Sequence, residues 1–289
     1  MEAKSVRKIC GHASVRGTLD RITQLSIHPQ SFLFSGPKHL GKSLVAQEFA
    51  EKLIGSPVSS DGFHPDLFIL GDTSDDSDSP MLSVEQVRVA QQFLSRFPEN
   101  GKYRVVIVER AEQLTISAEN ALLKMLEEPN TSSVIILVSS RPGKLLPTVR
   151  SRLFPVNFSL VAPEVLRQFF PESNDLPDFF FSLGLPGLIR RSIQDPESFE
   201  MMKNELKKLF QLSRLSWSER IQLAEKLTGS AGDLEQMLSI WLIGLSRRGS
   251  DVRTPAEAAF LETIIETIDR ISARQGSSRL LLEKLFTAI

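Results

Sequence analysis

The sequence predicts an α/β chain, a parallel sheet covered by helices, followed by an all-helical remainder. Three observations carry that expectation. Five short apolar runs, rich in Val, Ile, Leu and Phe, fall within the first 160 residues. Helical stripes separate them, and crossovers of that length join parallel strands rather than hairpins. Past residue 160 the apolar positions recur only at helical spacing.

The runs are Ser31–Ser35, Leu67–Leu70, Tyr103–Val108, Val134–Val138 and Phe154–Phe158. Each is flanked by turn residues and apolar almost throughout, as strands buried on both faces are. A helix carrying Leu44, Val45, Phe49 and Leu53 follows the first run. The segment Gly71–Pro80 is acidic and serine-rich and reads as a solvated loop. Its aspartates lack the glycine and the closing glutamate of a calcium-binding loop. Ser83 opens a capping box with Gln86, and Val84, Val87, Ala90, Leu94 and Phe97 make a stripe that Pro98 ends. After Ser117, a second stripe of Ala118, Ala121, Leu122, Met125 and Leu126 stops before Pro129. The helical remainder divides at Pro171–Pro177, Leu185–Gly187 and Arg247–Thr254. The expected domains are 1–160, a small helical unit at 161–203 and a larger one at 204–289.

Composition narrows the function classes. At 289 residues the chain suits about two domains of roughly 150 residues each. With 34 basic and 35 acidic residues, its whole surface is not built to grip a phosphate backbone. The single cysteine, Cys10, excludes an internal disulfide and a multi-cysteine zinc site. No apolar run nears the ~20 residues that cross a bilayer. The N-terminus lacks the apolar core of a signal peptide, so a cytoplasmic protein is expected.

Gly36-Pro37-Lys38-His39-Leu40-Gly41-Lys42-Ser43 matches G-x-x-x-x-G-K-[ST] at every fixed position, between a strand and a helix. In that setting the loop N–H groups cradle phosphates, Lys42 reaches the outer ones and Ser43 ligates Mg²⁺. ATP or ADP with Mg²⁺ is the expected ligand. Hydrolysis needs more: a strand ending in a metal-holding carboxylate, then a second carboxylate acting on water. Here Val105–Val108 ends in Glu109-Arg110. Glu109 is placed to reach the metal, whereas a permanently cationic Arg110 is no base. The plainer alternative makes both of them surface residues at a strand end. His12, His28, His39 and His64 show no metal-binding spacing. His64 and Asp66 are expected to shape a turn, and Trp217 and Trp241 to pack in a helical core.

Asn120-Ala121-Leu122-Leu123-Lys124-Met125-Leu126-Glu127-Glu128-Pro129 resembles the N-A-L-L-K-x-L-E-E-P signature of the bacterial clamp-loader subunits of DNA polymerase III, which are AAA+ proteins. Leu145–Arg152 is similar to the family segment ending in Ser-Arg-Cys. His64-Pro65-Asp66 and Val84–Arg88 look like landmarks of the delta-prime type. The resemblance covers most of residues 10–160 and returns at Arg279–Glu283.

It implies an AAA+ domain, a helical lid at 161–203 and a C-terminal collar at 204–289. It further implies a hetero-pentameric ring with motor and delta-type subunits, which places a sliding clamp on primed DNA. Arg152 matches the arginine that reaches a neighbour's ATP, and Ser139 or Ser140 the residue that senses its γ-phosphate. Gly187 stands where motor subunits carry a nucleotide-contacting arginine. The zinc module of many relatives is missing from the short, cysteine-free stretch Gly55–Phe63. The expected role is a poorly hydrolysing delta-prime-like subunit with a trans-acting Arg152; the alternatives are an active AAA+ motor and a scaffold indifferent to nucleotide.

Overall fold

A computed structural model describes residues 9–25, 28–58, 63–71, 81–173, 175–229, 234–248, 254–272 and 275–287. Most of the acidic segment Gly71–Pro80, part of Gly55–Phe63 and most of Arg247–Thr254 lie outside the described residues. The chain divides between Val161 and Ala162 into a sheet unit and a helical unit.

The sheet unit runs α1 (Ala13–Thr23), β1 (Ser31–Ser35), α2 (Lys42–Ile54), β2 (Leu67–Leu70), α3 (Val84–Leu94), β3 (Arg104–Val108), α4 (Ile116–Glu127), β4 (Ser133–Ser139), α5 (Pro147–Arg150) and β5 (Phe154–Asn157). Its strands are all parallel, in the order β2-β3-β4-β1-β5. β1, β3 and β4 are buried along their whole length, which is why they read as unbroken apolar runs. Alternation sorts their side chains. Leu33, Val106, Val108, Ile135 and Leu137 meet the apolar stripes of α3 and α4. Phe32 and Phe34 point the other way, onto Phe49 of α2, with ring centroids 5.1 and 6.3 Å apart.

Two helix boundaries differ from the sequence expectation. α4 is capped by Thr115, whose hydroxyl accepts from the Ala118 N–H, rather than opened at Ser117. α3 ends at Leu94, and Phe97 is 88% exposed instead of joining the stripe. The cause is a buried ion pair. Arg104 donates to the carbonyls of Phe93 and Phe97. Asp66, fully buried, accepts from the N–H groups of Glu99, Asn100 and Gly101 at 2.7, 2.8 and 3.0 Å. Those bonds pull the chain out of helix before Pro98. His64 accepts the Asp66 N–H at Nδ1, so its Nε2 donates to Ser56 Oγ. As expected, His64 and Asp66 organise turns.

The helical unit contains α6 (Pro163–Phe169), α7 (Asp178–Ser182), α8 (Pro186–Gln194), α9 (Pro196–Phe210), α10 (Trp217–Gly229), α11 (Leu234–Arg248), α12 (Pro255–Ser272) and α13 (Ser278–Thr287). α10 packs on α13, α11 on α12, and α9 on both α8 and α11. Trp241 is buried and meets Phe260 and Phe286 edge-on at 5.7 and 6.4 Å. Trp217, expected in the core, is 67% exposed. The reciprocal bonds of Ser216 and Glu219 fix the start of α10 and leave Trp217 as its outward first residue. Position 203 lies inside α9, with the flanking helices in the same compact unit.

Candidate nucleotide site

β1 delivers the chain to the sheet's carboxyl edge, flanked by β4 on one side and β5 on the other. That is the switch point at which open α/β sheets bind ligands. Gly36 leaves the strand at φ 148°, where a Cβ would stand 2.6 Å from the Phe158 carbonyl oxygen. Gly41 is left-handed at φ 83° and starts α2 without a side-chain cap. Only glycine fits the first position, and it is the least strained choice at the second. His39 is also left-handed, at φ 64°, while Leu40 is fully buried and anchors the loop. Pro37 and Lys38 are half-buried.

Lys42 is buried, and its ammonium donates to the carbonyls of Gly36 and Pro37 at 2.8 and 2.7 Å. The adjoining Ser43 hydroxyl donates to Glu109 Oε2 at 2.7 Å. Glu109 is not a surface residue: it is 2% exposed, and its Oε1 is buried without a hydrogen-bond partner. Burial pushes its carboxyl up to about 7, against the Ser43 hydroxyl and the Lys42 ammonium, which both pull it down. An uncapped helix N-terminus, a lysine turned onto its own loop and an orphaned carboxylate oxygen fit a phosphate chain with a divalent cation. The loop and Lys42 would hold the phosphates, Ser43 and Glu109 the metal.

A folded-state pKa above the unfolded one means that the native chain keeps a proton the unfolded chain releases. Stability is therefore lost as pH rises from the usual glutamate range through about 7. Glu109→Gln retains an acceptor for Ser43 and removes the charge. In the absence of nucleotide it is expected to stabilise the sheet unit by at least about 1 kcal/mol at pH 8 and by nothing near pH 4.5. Thermal melts at both pH values check this, and a gap that does not change with pH would remove the burial account.

After Glu109 the chain turns through Arg110, left-handed at φ 50°, into a 3₁₀ turn at Ala111–Gln113. The turn returns Glu112 to the sheet edge, where it accepts from both the N–H and the hydroxyl of Ser140. Burial opposes ionisation of Glu112, yet bonds from Ser140 and Ser139 hold its carboxyl below the usual range. Register sets Ser139 beside Ser35, the residue before the loop, and its hydroxyl accepts the Arg141 N–H. Arg152 is bonded elsewhere, to Glu127 at 2.7 Å and to the Thr148 carbonyl at 2.8 Å. Gly187 is the second residue of α8 in the helical unit.

Of three supporting residues, two were not legible in the sequence. His12 donates from Nε2 to the Leu40 carbonyl and meets the Phe158 ring edge-on. Asn157 accepts the Ser35 hydroxyl at 2.6 Å. No spacing marks either of them. Glu112 did carry a signal, being an acidic residue three positions beyond a strand-end glutamate.

The sequence model of a family described as DNA polymerase III, delta subunit, matches residues 11–162. The DNA polymerase III subunit delta' of Pseudomonas aeruginosa is 34% identical over 139 residues, which is 43% of this chain and 42% of that protein. The DNA polymerase III subunit delta' of Bacillus subtilis is 28% identical over 160 residues, 51% of this chain and 47% of that protein. The chain thus spans less than half the length of these curated relatives. A crystal structure of a DNA polymerase III gamma subunit-related protein from Thermotoga maritima superposes with a TM-score of 0.55 at 19% identity, covering 94% of this chain and 97% of that one.

Proposed function

Because the chain belongs to the family described as DNA polymerase III, delta subunit, we propose that it is a delta-prime-like clamp-loader subunit that binds nucleotide, hydrolyses it poorly and serves a neighbouring motor through Arg152. The observation that carries this reading is an intact P-loop beside which, among the described residues, each strand-end carboxylate is already engaged and no second carboxylate follows Glu109 directly. Glu109 is bonded to Ser43, Arg110 is a cation, and Glu112 is occupied by Ser140. When bound, Mg²⁺–nucleotide supplies the scissile phosphoanhydride and the metal's charge. Lys42 would exchange two loop carbonyls for phosphate oxygens, and Ser43 would turn from Glu109 to the metal. Arg152 would leave Glu127 and offer its guanidinium across a subunit interface.

In this reading residues 161–203 form a lid and the later helices a collar, in a cytoplasmic ring with motor and delta-type subunits. Sliding clamp and primed DNA are engaged by the assembly. Ser139 is the γ-phosphate sensor.

Isolated chain is expected to bind Mg-ATP without turnover, and Lys42→Ala to weaken binding at least about tenfold, since charged hydrogen bonds contribute about 1.5–3 kcal/mol. Titration calorimetry beside a phosphate-release assay reads both. Robust turnover by the chain alone would transfer it to the motor class. Unaltered binding in Lys42→Ala would remove the nucleotide site from the proposal.

A further inference from the structure

The helical unit holds a groove of about 470 Å³ between α7, α9 and the 3₁₀ turn at Leu212–Arg214, a size at which side chains of a partner can be seated. Phe179, Phe180 and Phe210 make its apolar wall, and Lys203, Lys207 and Arg214 its rim. No carboxylate lines it. Glu200 pairs with Lys203 at 2.6 Å, while Lys207 and Arg214 form no ion pair among the described residues.

We propose that this groove docks an acidic peptide segment with an aromatic or aliphatic anchor, supplied by a partner protein. Charge complementarity selects the acidic flanks, because two unpaired cations stand beside an apolar recess. Ring geometry selects a peptide over single-stranded nucleic acid. Phe179 meets Phe210 edge-to-face at 4.9 Å, and Phe180 is tilted against Phe199 at 4.9 Å. Rings locked against one another in this way wall a pocket for an inserted side chain rather than present flat platforms for bases. Gly244 of α11, outside the lining, lies against both rings. A Cβ there would come within 2.4 Å of Phe210 Cζ and 3.1 Å of Phe179 Cζ. Its lack of a side chain sets the ring positions and hence the depth of the recess.

This site goes beyond the clamp-loader reading and does not depend on it. The probe is a capped, fluorescent peptide, Asp-Asp-Leu-Phe-Glu-Glu, titrated into the full chain by polarisation. Saturable binding is expected with a Kd on the order of 10–100 µM, as for short peptide motifs. Lys207→Glu with Arg214→Glu, on the exposed rim where folding is undisturbed, should weaken it at least about tenfold at low salt. Gly244→Ala should weaken it by pushing the Phe210 ring, and replacing Leu-Phe in the probe with Ser-Ser should do the same. Absence of saturation at about 1 mM, or equal affinity in the rim variant, would overturn the proposal. So would a thymidine oligonucleotide that binds more tightly than the peptide and loses affinity in the same rim variant, which would make the groove a nucleic-acid site.

Discussion

Complexes assembled with Arg152→Ala are expected to lose about a thousandfold in turnover at the adjoining motor site, the lower end of what a trans-acting arginine contributes. A guanidinium set against a transferring phosphoryl group offsets charge that develops only in the transition state, so its removal strikes the rate rather than ground-state binding. The loss is read in a complex whose other motor sites are silenced, as single-turnover hydrolysis. The fold should barely change. Arg152 is partly exposed, and its pair with Glu127 is a surface ion pair contributing at most about 1 kcal/mol. An unchanged melting midpoint with collapsed turnover supports the assignment. Undiminished hydrolysis in the variant complex sinks it, whatever the isolated chain does with its own nucleotide.

Asp66→Ala is expected to cost the sheet unit about 3–5 kcal/mol, the range for removing one partner from a buried ionic cluster. Three N–H groups that Asp66 accepts would lose their bonds, and Arg104, 3% exposed, would keep a buried charge with Glu99 as its one counterion among the described residues. Burial opposes ionisation of Asp66. The three backbone donors and Arg104 outweigh it and hold the carboxyl below the ordinary aspartate range. Its stabilisation is thus fully present above the ordinary aspartate pKa and lost as pH falls through the depressed value. Asp66→Asn, which can still accept but carries no charge, should fall between wild type and alanine and lack that acid-side loss. Urea titrations at pH 7 and stepwise down to about pH 2, below the ordinary aspartate range, give both numbers. A cost under about 1 kcal/mol would mean that the 97–104 turn is held by something else.

The strands and the phosphate loop were legible because each is written in contiguous residues. An unbroken apolar run such as Val105–Val108 already states that both of its faces are buried. The glycine spacing of Gly36 and Gly41 states where backbone must approach a neighbour or turn left-handed. The change from five apolar runs to helical stripes alone marked where the sheet stops, and its last strand ends at Asn157. The ten-residue run Asn120–Pro129 pointed to the family that the comparison over residues 11–162 shows.

What remained open were partnerships across long sequence distances. Phe97 continues the helical stripe by spacing, yet is exposed because Asp66, 31 positions earlier in the numbering, captures the N–H groups just beyond it. Glu109 read equally as a surface residue until the sheet buried it beneath Ser43. Trp217 and Trp241 look alike among leucines, and only the capping bonds of Ser216 and the rings of Phe260 and Phe286 separate them. By itself the sequence determined which segments are strand, helix and phosphate loop, since those follow from local periodicity and backbone freedom. Tertiary structure alone decided which charges are buried, which carboxylates are free and which aromatics reach solvent, because burial and hydrogen-bond partners depend on residues that only folding brings together.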